Sequence, residues 1–141
     1  VADTARALGF YRDLLGLESG LEWAYRTHVE RAHGLPHGER QATLVPGSRV
    51  DVWYRAHATI VEVDGRAGHL EGAFRDLDRD NRHALRGQLT LRFGSADVRG
   101  APCVVAAQTA RALMVNGWAG PLVPCPSCAA AQAADDHWSW T

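Results

Sequence analysis

With 141 residues, 46% of them apolar, the chain has the size of one compact domain or of two small modules sharing a core. A formal net charge of −1 offers no electrostatic case for nucleic acid or an anionic membrane. No apolar run reaches the roughly 18 residues of a membrane span, and no signal peptide is visible. All 15 basic residues are arginine, which excludes a Schiff-base lysine, and 3 cysteines fit the reduced thiols of a cytoplasmic protein.

In chain order, Asp3 is a good N-cap for a helix whose apolar stripe is Ala7, Leu8, Tyr11, Leu14 and Leu15, closed by Gly16. Leu21, Trp23, Tyr25 and Val29 at odd positions predict a half-buried strand over 19–29. Gly34 to Gly38 reads as a turn, and residues 41–46 and 49–54 as two strands around Pro46-Gly47. Arg55 to Ala67 reads as a linker in which Thr59 to Val63 can form a short strand of its own. Asp76-Leu77-Asp78 caps a polar helix over 79–86, closed by Gly87. Strands are expected at 88–93 and 102–107, followed by a hairpin of 111–115 with Leu122-Val123. From Pro124 a tail follows, whose alanine run is too short for a stable isolated helix.

Three stretches carry a resemblance. VADTARALGFYRDLLGL at 1–17, HGLPHGERQATLVPGSRVDVW at 33–53 and GHLEGAF at 68–74 resemble the vicinal-oxygen-chelate family, which includes glyoxalase I, methylmalonyl-CoA epimerase, extradiol dioxygenases and bleomycin-resistance proteins. The resemblance implies an α+β fold of paired βαβββ modules forming a cupped mixed sheet. The modules would be residues 1–58, lacking their first strand, and 59–125, with 126–141 an irregular C-terminal tail.

The family's metal sits in the cup on four ligand slots, and catalytic divalent metals usually need about three protein ligands. The first slot, a His or Gln, would precede Val1; the second falls on Tyr54; the third is His69; and the fourth falls on Pro124. Only His69 is a ready ligand, so a divalent metal (Zn, Ni, Mn or Fe) is not supported by the ligand count, and the chain is expected to purify without stoichiometric metal.

Other groups are weaker. His57, Glu62 and Asp64 with His69 have no recognised ligand spacing, and His28, His33 and His37 suit a histidine-rich surface loop. Cys125 and Cys128 with His137 supply three of four zinc ligands, and the set lacks a second pair unless distant Cys103 joins it. A thioredoxin-like redox role and an idle tail are the alternatives, and on the last reading deletion of 126–141 leaves the melting temperature unchanged. Asp76, Asp78 and Asp80 read as a solvated helix cap. No phosphate loop or nucleophile elbow occurs.

Three functions follow from the resemblance. One is a metal-dependent lyase, isomerase or dioxygenase acting on a small molecule with vicinal oxygens. Another is a metal-free, drug-sequestering binder with Trp23, Tyr25, Trp53 and Tyr54 lining its groove, and the third is an inactive truncated copy. A small-molecule ligand and a homodimer are the expected partners, with neither nucleic acid nor membrane.

Overall fold

The computed structural model describes residues 20–65 and 70–129. The helix expected over 3–16 lies outside them. Helix α1 (Gly20–Ala24) runs directly into a π-helical stretch, Tyr25–Arg31. Strands β1 (Glu39–Val45) and β2 (Ser48–Tyr54) form a hairpin, and a short 3-10 turn leads into β3 (Thr59–Asp64). Helix α2 (Leu70–Ala84) crosses to β4 (Leu89–Gly94), followed by α3 (Ser95–Gly100) and α4 (Pro102–Val115).

The fold is therefore α+β, and the described residues form one four-stranded mixed sheet of order β1-β2-β3-β4. The first two pairings are antiparallel and β3–β4 is parallel, which requires a crossover such as α2. From β3 onward the order is strand, helix, strand, helix, helix, so the second half shows no βαβββ module among the described residues. The boundary expected at 58/59 falls between two strands that pair with each other.

Several strand expectations are corrected. Residues 20–31 are helical: the apolar residues they bury are Ala24, Tyr25 and Val29, with Leu21 packed against them, while Trp23 is 54% exposed. The apparent alternation counted Trp23 as an inward residue. Residues 102–107 and 111–115 lie in one helix, α4, entered at Pro102, whose fixed φ suits a first helical turn. It is buried on most of its surface, at Cys103, Val105, Ala106, Ala107, Thr109, Ala110, Ala112 and Leu113, and its exposed Gln108, Arg111 and Val115 follow the helical period. The polar helix begins well before residue 79, and Leu122-Val123 belongs to no strand. The strands at 41–46, 49–54, 59–63 and 88–93 are present with small shifts of their ends.

One sheet face carries Val52 and Tyr54, Val61 and Val63, Leu91 and Phe93. These pack with Tyr25 and Val29 of the π-helical stretch and Val105, Ala106, Ala110 and Leu113 of α4 to form the main core. The opposite face is polar at its centre and meets α2, where Arg79 reaches Glu62 and Asp80 binds Arg92.

Candidate functional site

A row of polar side chains crosses the whole sheet. Gln41 stands between the Arg40–Val52 and Ala42–Val50 pairs, hence opposite Asp51. The register through Val52–Val61 carries Asp51 to Glu62, and Glu62 pairs with Arg92. The Asp51 carboxylate accepts the Val63 N–H at 2.9 Å and the Gln41 amide at 3.3 Å. The same Gln41 amide nitrogen donates to Glu22 of α1 at 2.7 Å, and Arg49 donates to the Gln41 carbonyl at 2.7 Å. Gln41 does this from a left-handed backbone conformation, φ 51°, which is costly for a residue with a side chain.

Glu62 is 5% exposed, accepts the Asp51 N–H at 3.3 Å and lies 3.5 Å from the Arg79 guanidinium. Burial, and then the hydrogen-bonded Asp51 carboxyl, push its pKa up to about 8 against the opposing pull of Arg79. Asp64 follows two residues along β3, half-buried and on the same face. Arg92 is clamped by Asp80 through two bonds of 2.9 and 2.6 Å, with Asp76 at 3.4 Å. So Asp76 and Asp80 are not merely a solvated cap; Asp78 pairs with exposed Arg82.

A second cluster lies beyond the opposite face. His33, Cys103, Cys125 and Cys128 bring their ligand atoms within 4.8 Å of one another, a group that could hold a metal ion. His33 follows the π-helical stretch, Cys103 opens α4, and the two other cysteines flank the turn at 126–127. The segment after α4 is led there by Val123, whose N–H donates to the His33 carbonyl at 2.8 Å. Cys103, Ala107 and Cys128 form a small separate core with Val104, Leu122 and Cys125.

The remaining sequence-predicted residues scatter. Tyr25 and Tyr54 are buried in the main core, their hydroxyls 2.8 Å apart, and Tyr54 donates to the buried Glu30 carboxylate at 2.7 Å. Arg40 at 2.7 Å and the Gly38 N–H at 3.3 Å also bond that carboxylate, and His37 Nδ1 lies 3.5 Å from it. Burial raises both tyrosine pKa values well above the usual range, so Tyr54 is a protonated structural residue. Trp53 lies on the polar face, stacked 4.1 Å beneath the Arg55 guanidinium and bonded to Gln88. Trp23 is exposed beside His28. The four aromatics thus share no groove. His28 and His37 are exposed and only His33 reaches the thiols; His57 bonds the Asn116 carbonyl, and His69 and His137 lie outside the described residues.

Asp51, Gln41 and Glu22 were not singled out in the sequence. Their signal was an acid at an inner position of a strand, Asp51, one register step from the Glu62-x-Asp64 pair on the next strand. No family model, curated protein or solved structure matches this chain.

Proposed function

We propose that this chain is a divalent-cation-dependent hydrolase of phosphodiesters, with Asp51 and Glu62 as the cation ligands. The observation that carries the reading is the pair itself: two carboxylates on adjacent strands, hydrogen-bonded together and each held by the backbone of the other's strand. An all-oxygen donor set of this kind suits Mg or Mn rather than zinc. Asp64 lies two residues beyond Glu62 on the same face of β3, and Glu22 meets the same Gln41 amide that reaches Asp51.

Carboxylates in hydrogen-bond contact are too close for a glycosidase pair, whose acids stand about 5 Å or more apart. Arg49, bonded to the neutral Gln41 side-chain amide oxygen, can meet an anionic substrate, whereas Arg79 and Arg92 are already paired with Glu62, Asp76 and Asp80. Asp51 and Glu62 would hold the cation, which would supply polarisation of a phosphoryl oxygen and activation of water, and Arg49 would offset charge on the transferring group. Nucleic acid is the polymer of that chemistry, and a local arginine rather than the net charge would recruit it. The strained backbone at Gln41 fits a residue held to orient Asp51.

The vicinal-oxygen-chelate reading, with its metal at His69 or its aromatic groove, gains less support. It needs a second sheet facing the first, whereas the described residues build one sheet with helices on both faces. Hydrolysis of bis(p-nitrophenyl) phosphate and of single- and double-stranded DNA tests the proposal. Turnover that requires Mg or Mn and is lost in Asp51→Asn supports it. Cation-independent turnover, or none on any of the three substrates, rejects it.

A further inference from the structure

We infer that His33, Cys103, Cys125 and Cys128 bind one structural zinc ion, independently of the cation proposed at Asp51 and Glu62. Four soft or borderline donors of this composition form a Cys₃His set, one of the standard closed zinc shells. The spacing agrees. Zinc bonds of about 2.3 Å to sulfur and 2.0 Å to nitrogen put tetrahedral ligand atoms roughly 3.5–3.8 Å apart. The Cys103–Cys125 and Cys125–Cys128 sulfurs stand at 3.4 and 3.5 Å, far longer than a disulfide bond.

The histidine is oriented for the task. His33 Nδ1 lies 2.9 Å from the Val29 carbonyl, and a carbonyl only accepts, so Nδ1 carries the proton and Nε2 presents the lone pair. A ligating imidazole that donates its other N–H to a backbone carbonyl is the usual outer shell of a zinc site. The Cys125 N–H points at Cys128 Sγ at 3.1 Å, a backbone dipole suited to a thiolate. His33, Cys103 and Cys128 are buried and Cys125 is half-buried, leaving no open position for substrate. The ion would therefore be structural. It would join the end of the π-helical stretch, the first turn of α4 and the segment through Cys128, which otherwise meet over a very small apolar cluster.

This runs against two expectations drawn from sequence, that the protein carries no stoichiometric metal and that the cysteines are idle. The first came from counting ligands on the family pattern, and the second from a lone Cys-x-x-Cys to which Cys103 was distant and His33 was not joined.

The full chain, purified without an affinity tag, tests the site by elemental analysis and by visible spectroscopy after exchange into cobalt. The expected result is one equivalent of zinc and, with cobalt, the intense thiolate charge-transfer and tetrahedral bands of a three-sulfur, one-nitrogen site. Cys128→Ser and His33→Ala should lose the metal, while His33→Cys should keep it as a four-sulfur site. In case these variants fail to fold, thiol titration of the unmodified protein is decisive. Three thiols that react slowly, and rapidly after a strong zinc chelator is added, support the site. Metal-free folded protein with three freely reactive thiols, a disulfide among the cysteines, or iron in place of zinc would overturn it.

Discussion

Asp51 and Glu62 are bound crosswise: the Glu62 carboxylate accepts the Asp51 N–H at 3.3 Å, and the Asp51 carboxylate accepts the Val63 N–H at 2.9 Å. Each acid is thus held by the backbone of the other's strand. Neither can swing into solvent to relieve the repulsion between them without breaking a bond to a buried partner. The sheet fixes two acids where one proton or one cation must come between them.

The pair should therefore show opposite effects on stability and on binding. Asp51→Asn removes a charge from the row while keeping an acceptor for Val63, and should stabilise the cation-free protein by about 1 kcal/mol. It should also weaken Mn binding at least tenfold. Denaturant melts in the presence of a chelator and Mn titration followed by water-proton relaxation measure the two halves. Equal stability together with equal Mn affinity would remove the case for the site.

Glu30 is a structural acid, and its loss should look different. It is 1% exposed and holds Arg40, Tyr54 and the Gly38 N–H together. Glu30→Ala leaves the partly buried Arg40 without its ion pair and should cost about 3–5 kcal/mol. Tyr54→Phe removes a single hydroxyl and should cost about 1–2 kcal/mol. Neither should alter Mn affinity in the protein that remains folded, which a combined melt and titration checks.

Gly34 is a backbone hinge for the proposed zinc shell. Its φ is +66°, and a Cβ there would stand 2.8 Å from Val123 Cγ2. Gly34→Ala combines left-handed strain, about 1–2 kcal/mol for a residue with a side chain, with displacement of Val123. Since the Val123 N–H holds the His33 carbonyl, the substitution should lower both the melting temperature and the chelator concentration that strips the metal. A lower melting temperature with unchanged metal release would separate the two effects and count against the link.

Acid stability should report on His83. The ring is 1% exposed, with Nε2 3.0 Å from Ser48 Oγ. Burial first, then Arg79, and after it Arg86 and Arg92, hold its pKa below the ordinary value, with only Asp80 pulling the other way. A depressed histidine keeps its full stabilising contribution above the unfolded pKa of about 6.5 and loses it as pH falls through the folded value. Urea midpoints should therefore drop below about pH 6.5, and His83→Gln should flatten that slope. An unchanged slope in the variant would assign the acid sensitivity to other groups.

Much of the sheet was legible because β1 and β2 flank the Pro46-Gly47 turn, β3 is a short run rich in β-branched residues, and β4 alternates Leu89, Leu91 and Phe93 with other residues. Where the reading failed, burial depended on partners the sequence does not show. Trp23 faces outward and Ala24 inward, so alternation misled at α1. The apolar run from Cys103 to Ala107 suits a buried strand or a buried helix equally well, and α4 is the latter. The candidate sites were legible only in pieces. Cys125-x-x-Cys128 and Glu62-x-Asp64 are visible as short motifs, but Cys103, His33 and Asp51 join them only through tertiary packing.

The proposed zinc ligands come from three parts of the chain far apart in sequence, and this bears on the order in which the molecule is made. During synthesis all four strands emerge before Cys125 and Cys128 do, so the sheet can pair while the metal shell is still incomplete. The nearby cysteine pair can then capture an ion cheaply, because its loop is short, and the entropy of closing the longer loops to Cys103 and His33 has already been met by the packed strands and helices. Metal loading at the proposed site would then follow sheet formation, and a cell short of zinc would accumulate a chain whose described strands are paired while the segment through Cys128 is undocked, the form a protease would meet first.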